Sequence, residues 1–419
     1  MTAGPDRAAL IEDRRLNTSY LKLDLFCRGL RLGPDFDLGG AQGPVRMRSG
    51  LGSGLELRLP GRGRLHVNAP VVEPFAAASP YELGAADAPG RHVLRHEGRA
   101  LTSVDLPPRP AFLDQRTRSG RPMSSVGVVQ GTYLGVYFGL LCANWKRPDD
   151  DACRFCSVGT HVQSGDEDTG KSVDDVVETA LAAQRELGIT FVHINGGFDD
   201  RERYLTRFLP LVQALRRSTS LLIGLQVPPL AAADYVALKA AGVDNVSLCF
   251  EVWDPRRFDE VCPGKGRRAP LDAFRAAIRT CATDVRFATT NGEMIAGLEP
   301  VPSSMAAVDW LTATGAVPTI CVFRPVQGTH YADLAPPATE DLVPLFAHAW
   351  RQTLAHDLPI GIAPNVHVSI VLTPEEWRGL VPPAERNAFR ATRWRHALVR
   401  SGFRGAFAAR RVVHGWTRR

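Results

Sequence analysis

At 419 residues, with 44% hydrophobic and 22% charged side chains, the chain is long enough for one large domain with additions, or for two, around a proper core. No run of eighteen apolar residues occurs, and the charged start MTAGPDRAALIEDRR lacks a signal peptide's apolar stretch, so we expect a cytoplasmic protein with no membrane partner. The net charge of +6 is concentrated in one place: ten arginines, no lysine and no acidic residue lie between Arg386 and Arg419, leaving the rest of the chain net acidic.

Residues 1–121 read as an N-terminal β-rich region. Leu55, Leu57 and Leu59 alternate with Glu56 and Arg58, Pro60 to Gly63 supply a turn, and Leu65 and Val67 alternate with Arg64, His66 and Asn68, which predicts a hairpin. This region can shape an active site or serve only stability or dimerisation. Residues 122–375 change pattern to apolar strands alternating with amphipathic helices, the sign of a parallel sheet covered by helices. Six units are expected. Strands are predicted near 133–140, 190–195, 221–227 and 245–252, then two short ones near 285–290 and 294–298, and a last near 318–324. The helix over 172–187 has Ser172 as its N-cap, with Asp174 and Asp175 at its positive end. Right-handed crossovers curl such a series into a partial or full parallel (β/α) barrel with its functional loops at the strands' C-terminal ends.

One such loop follows the first strand. LLCANWKRPDDDACRFCSVGT holds Cys142, Cys153 and Cys156 in a C-x10-C-x2-C arrangement, with no fourth cysteine nearby in sequence. Three thiolates in a local loop leave one corner of an iron–sulfur cluster open to an exogenous ligand. The competing reading is a zinc knuckle with His161 as fourth ligand. Cys27, Cys249, Cys262, Cys281 and Cys321 are scattered and read as buried thiols; a disulfide framework is not expected.

The loop, with Phe155 preceding the last cysteine, resembles the cluster loop of the radical S-adenosylmethionine (radical SAM) superfamily, although the commonest spacing there is C-x3-C-x2-C. Four further stretches resemble that superfamily's strand-end motifs. Asn195-Gly196-Gly197 is similar to the glycine motif that meets the SAM amine, with Phe198 where a glutamate often stands. Glu251 and the following Cys-Pro-Gly-Lys are similar to the fourth-strand region of biotin-synthase-like members, which implies Glu251 as a SAM ligand and Lys265 and Arg268 as candidates for its carboxylate. Ile295 and Gly297 resemble the adenine-packing strand, and the stretch around Arg324 the strand end whose backbone meets the adenine. The resemblance covers roughly 130–330. It implies a [4Fe-4S] cluster, SAM, an external electron donor such as flavodoxin or ferredoxin, and abstraction of hydrogen from a small-molecule substrate by a 5′-deoxyadenosyl radical. It names no catalytic residue and no product.

Residues 376–419 form an arginine-rich extension in which Phe389, Trp394, Phe403, Phe407 and Trp416 are interleaved. Such a tail can grip nucleic acid, which keeps an RNA-modifying enzyme as a second reading. It also fits an amphipathic segment packing its aromatics on the main domain. A third reading is a non-enzymatic, zinc- or cluster-stabilised binding protein. His193, Cys249 and Cys321 are expected on inward strand positions as core residues rather than as parts of a mechanism.

Overall fold

The computed structural model describes residues 17–46, 52–61, 65–199, 204–358 and 360–416. Arg62, Gly63 and Arg64 of the predicted hairpin turn, and the side chain of Trp416, lie outside this description.

The chain opens with helix α1 (Thr18–Arg28), capped by Asn17, whose side chain accepts from the Tyr20 amide. Seven strands then build an N-terminal sheet: β1 (Arg31–Leu32), β2 (Val45–Arg46), β3 (Ser53–Arg58), β4 (His66–Ala69), β5 (Tyr81–Ala88), β6 (Arg91–His96) and β7 (Arg99–Asp105). Their order is β1-β5-β6-β7-β3-β2, with β4 also paired to β3. The expected hairpin is β3–β4, antiparallel, with Leu57 opposite Val67. Alternation alone puts Glu56 and Asn68 outside, yet both are buried. Their face is covered by a distant segment: Glu56 accepts from Asn68 Nδ2 (3.0 Å) and from Ser369 Oγ (2.7 Å).

The second sheet is the barrel. An antiparallel edge, β8 (Val128–Gln130), leads into six parallel strands: β9 (Tyr133–Tyr137), β10 (Phe191–Asn195), β11 (Leu222–Gln226), β12 (Asn245–Glu251), β13 (Thr289–Ala296) and β14 (Val317–Val322). Each pairs with its neighbour in sequence, so the sheet curls in one sense and stays open between β14 and β8. The helices over it are α2 (Val173–Leu187), α3 (Tyr204–Ser218), α4 (Ala232–Ala241), α5 (Leu271–Arg279), α6 (Val301–Thr314) and α7 (Thr339–Ala355). Ser172 caps α2 in a capping box with Asp175, as its spacing predicts.

One expectation is corrected. The two short strands near 285–290 and 294–298 are the single strand β13, because Asn291-Gly292 is not a turn: a Cβ on Gly292 would lie 2.2 Å from Leu311 Cδ2, so this glycine brings α6 onto the sheet. Val285 instead ends a π-helical turn after α5.

Outward residues of the strands, such as Val246, Leu248 and Phe250, are fully buried beneath the helices. Residues 360–375 run along the barrel's open side. The Thr132 amide donates to His367 O, and the Asn68 amide to Ser369 O (2.8 Å). Buried Lys22 of α1 donates to Val368 O (2.7 Å) and pairs with Glu376 (2.9 Å). Last comes α8 (Arg390–Trp416), a 27-residue helix.

Candidate functional site

β9 ends at Tyr137, and the chain turns directly into the cysteine loop. Tyr137 Oη donates to Leu140 O (2.6 Å) and accepts from the Gly197 amide (3.3 Å), which ties the turn to the end of β10. Cys142 is buried; the Ala143 amide donates to Phe198 O, and the Arg154 amide to Val261 O, both at 2.8 Å. The loop is therefore held from the end of β10 and from the last residue of the short helix Pro255–Val261. Cys153 and Cys156 are joined by a hydrogen bond from the Cys156 amide to Cys153 O (3.0 Å), a tight turn between the two thiols.

The glycine pair is explained by this packing. A Cβ on Gly197 would lie 2.4 Å from Cys142 Cβ and 3.0 Å from its Sγ, so only a glycine lets the β10 end reach the loop. Gly196 sits under Phe208, and Asn195 O accepts from the Phe138 amide (2.7 Å).

Electrostatically, the three sulfurs sense one another. Desolvation, then Cys153, pushes both the Cys142 and Cys156 thiols up. Desolvated neighbouring sulfurs that resist ionising together suit a cationic metal group among them. Among the described residues, no group of three or more His, Cys, Asp or Glu side chains stands ready to hold a metal ion. His161 lies 3.6 Å from Asp166, on a short helix beyond the loop.

Cys262 is the buried thiol that the sequence predicts, with a neighbour that it does not. It is fully buried and shares a hydrogen bond with Cys153, whose thiol this contact lowers. Its 106-residue separation from Cys156 hid it from any local motif.

β12 ends on Glu251, which has φ +69° and follows a register shift at Cys249. A left-handed glutamate at a strand end is a strained position held by its surroundings. Here Lys265 holds it, donating to Glu251 Oε1 (2.6 Å) and to Cys249 O (2.8 Å). Burial alone would lower the Lys265 ammonium, but Glu251 and the nearby cysteines hold it well above its ordinary value. Lys265 and Glu251 thus stand together beside the cysteine loop. Arg268 is exposed and donates to Asn144 Oδ1 (2.9 Å), bracing that loop from outside.

Two other expected contributors face elsewhere. Gly297 has φ +99°, and a Cβ there would meet the Pro337 ring at 2.8 Å, so the room it makes is for Pro337. The Arg324 guanidinium donates to Ser53 O (3.2 Å) and Asn68 O (3.0 Å), fastening the N-terminal sheet to the end of β14. Only its backbone is left for a ligand.

Within the barrel lies a cavity of about 490 Å³. Its wall alternates as parallel strands require: His193, Gln226, Cys249 and Glu251, Glu293 and Ile295, and Cys321 all face inward. Gly224 leaves space for the rings of Phe191 and His193. Phe155 reaches this cavity from between its two cysteines, which themselves stay outside the lining. The unpredicted feature is Glu293, whose Oε2 accepts from Cys249 Sγ (2.9 Å) and Gln226 Nε2 (3.2 Å). Cys249, expected as an apolar filler, is therefore part of a polar cluster. Residues 360–375 give the opposite wall an apolar character through Ile360, Ile362, Val366, Val368 and Ile370.

No family profile matches the chain. Among curated proteins it is similar to bacteriochlorophyllide c C-7(1)-hydroxylase of Chlorobaculum limnaeum, 25% identical over 270 residues, 59% of this chain and 66% of that protein. The chain thus spans just under two thirds of that relative's length. Among solved structures it is similar to methylornithine synthase, at 13% identity and TM-score 0.42 over 54% of this chain and 64% of the other. It is also similar to a radical SAM methyltransferase from Sphaerobacter thermophilus, at 13% identity and TM-score 0.42 over 65% and 75%.

Proposed function

We propose that the protein is a radical SAM enzyme that acts on a small molecule held in the barrel. The observation that carries this is the three-cysteine loop at the carboxyl end of the first parallel strand, pressed against Gly197 and flanked by the strained Glu251 with its partner Lys265. Cys142, Cys153 and Cys156 would hold a [4Fe-4S] cluster. When bound, such a cluster with SAM supplies one-electron cleavage of SAM and hydrogen abstraction through a 5′-deoxyadenosyl group.

The chain's own residues bind, orient and shield. The Asn195–Gly197 backbone and the Glu251–Lys265 pair offer an acceptor and a cation to the SAM amine and carboxylate. Ile295 offers an apolar surface to the adenine. Phe155 stands between the cysteine loop and the cavity, so the substrate is positioned on its far side and water is kept from the sulfurs. Inside, Glu293, Gln226 and Cys249 present a polar face opposite the apolar wall, which suits an amphipathic substrate oriented by one polar end. An external one-electron donor completes the system. The hydroxylase relative makes hydroxylation the first reaction type to assay.

The test is anaerobic reconstitution with iron and sulfide, followed by SAM and dithionite. A brown protein with about four irons per chain that releases 5′-deoxyadenosine is expected. A colourless protein, or a cluster that leaves SAM intact, sinks the reading.

A further inference from the structure

α8 is amphipathic on two sides. Its inner side seats His396 and Phe407, which are buried, and Phe403, which lines the barrel cavity. His396 is further fixed to Asp357 (3.0 Å). The helix is thus anchored in one orientation. Its outer side carries Trp394, Leu398, Ser401, Gly405, Ala408 and Val412, spaced by three and four residues into one stripe. Trp394 is 66% exposed, Leu398 53% and Val412 53%. Between Trp394 and Val412 the stripe runs about 27 Å.

Arginines border the stripe: Arg395 on one side, Arg404 and Arg411 on the other, all exposed. No acidic residue lies anywhere in α8. We infer that this face docks on an anionic lipid surface, the helix lying in the plane of the interface with Trp394 and Leu398 below the headgroups and the arginines among the phosphates. Charge decides between occupants. A second copy laid on the same stripe would bring two sets of arginines together with no carboxylate between them, whereas an anionic bilayer supplies both the countercharge and the apolar layer. This revises the expectation of no membrane partner; no helix among the described residues is long and apolar enough to cross a membrane, so the contact is peripheral.

On the side of α8 turned away from the stripe, Val399 and Phe403 line the cavity. This inference stands on α8 alone and is independent of the cysteine loop.

The experiment is co-sedimentation of the full chain with vesicles of phosphatidylcholine alone or in equimolar mixture with phosphatidylglycerol. Binding to the mixed vesicles is expected, at least about tenfold weaker with phosphatidylcholine alone and weakened again when salt rises from about 0.1 to about 0.5 M. The pair Trp394→Asp with Leu398→Asp should lose at least about tenfold in binding with an unchanged melting temperature, since neither side chain is buried. Because an acidic pair also alters charge, Trp394→Phe gives the second reading: brominated lipid should quench the parent's tryptophan emission more than this variant's. The proposal falls if the chain does not sediment with anionic vesicles, or if both substitutions leave binding and quenching unchanged. A dimer broken by the same substitutions without lipid, or RNA binding that requires Leu398 while vesicles are ignored, would also overturn it.

Discussion

At the carboxyl ends of the barrel strands, Glu251 is paired with Lys265, Gly197 touches Cys142, and the loop carrying the cysteines is pinned by amides from two directions. At the opposite end, α8 turns a tryptophan, a leucine and a valine into solvent, and two of its glycines, Gly402 and Gly405, have no atom within 4 Å of where a Cβ would stand. The first end tolerates almost no change of volume or charge; the second has space for both. A site that must hold a metal group and a reactive ligand in fixed geometry needs the former, and a surface that meets a partner needs the latter.

The largest effect that sharpens this contrast is loss of a cysteine. Cys142→Ala, Cys153→Ala and Cys156→Ala should each lower bound iron and 5′-deoxyadenosine release by about 100-fold or more, read from visible absorbance and product assay. Cys262→Ser should keep both, because the proposed cluster uses three protein sulfurs; loss of iron in that variant would point to a fourth ligand and a closed site. Next, Lys265→Met strands the Glu251 carboxylate in a poorly solvated place and should cost about 3 kcal/mol in urea unfolding, with part regained on adding Glu251→Gln. Gly197→Ala should cost about 2 kcal/mol by overpacking Cys142 and depress iron content with it. The same exchange at the other end, Gly402→Ala, should instead stabilise by up to about 1 kcal/mol.

Asp175 gives a pH test near the loop end. Burial would raise it, but hydrogen bonds from Ser119, the Ser172 backbone and Thr117 hold its carboxyl well below the usual carboxylate range. Its stabilisation is therefore fully present above about pH 4 and lost as pH falls through the lowered folded value. Asp175→Asn should cost about 1.5 kcal/mol at neutral pH, a gap that closes as the pH falls below that range. A gap that stayed constant in acid would show that ionisation of Asp175 is not the source.

The parallel strands and the cysteine loop were legible because both are local: period, turn residues and spacing carry them. Ser172 and its helix were equally plain. Glu293 was not, because splitting β13 at Asn291-Gly292 removed the register that turns it inward, and only the contact between Gly292 and Leu311 reveals one strand. The side-chain partners of Arg324 and Glu56 were hidden for a different reason. They lie 256 to 313 residues away, and no alternation within a strand announces such a neighbour. Cys262 belongs to the same class, a thiol at a helix junction that the fold brings against Cys153.

The strap of residues 366–376 sets a timetable for synthesis. Lys22 waits for Glu376, 354 residues later, and Glu56 for Ser369, 313 residues later. At about 10 residues per second, the N-terminal sheet emerges some 30 seconds before the groups that complete the hydrogen bonding of Lys22 and Glu56. Until then it offers an unpaired ammonium, a carboxylate and an open face to whatever meets a nascent chain. A ribosome-bound intermediate halted before Val368 should therefore be sensitive to protease in residues 18–105, although every strand of that sheet has already been made.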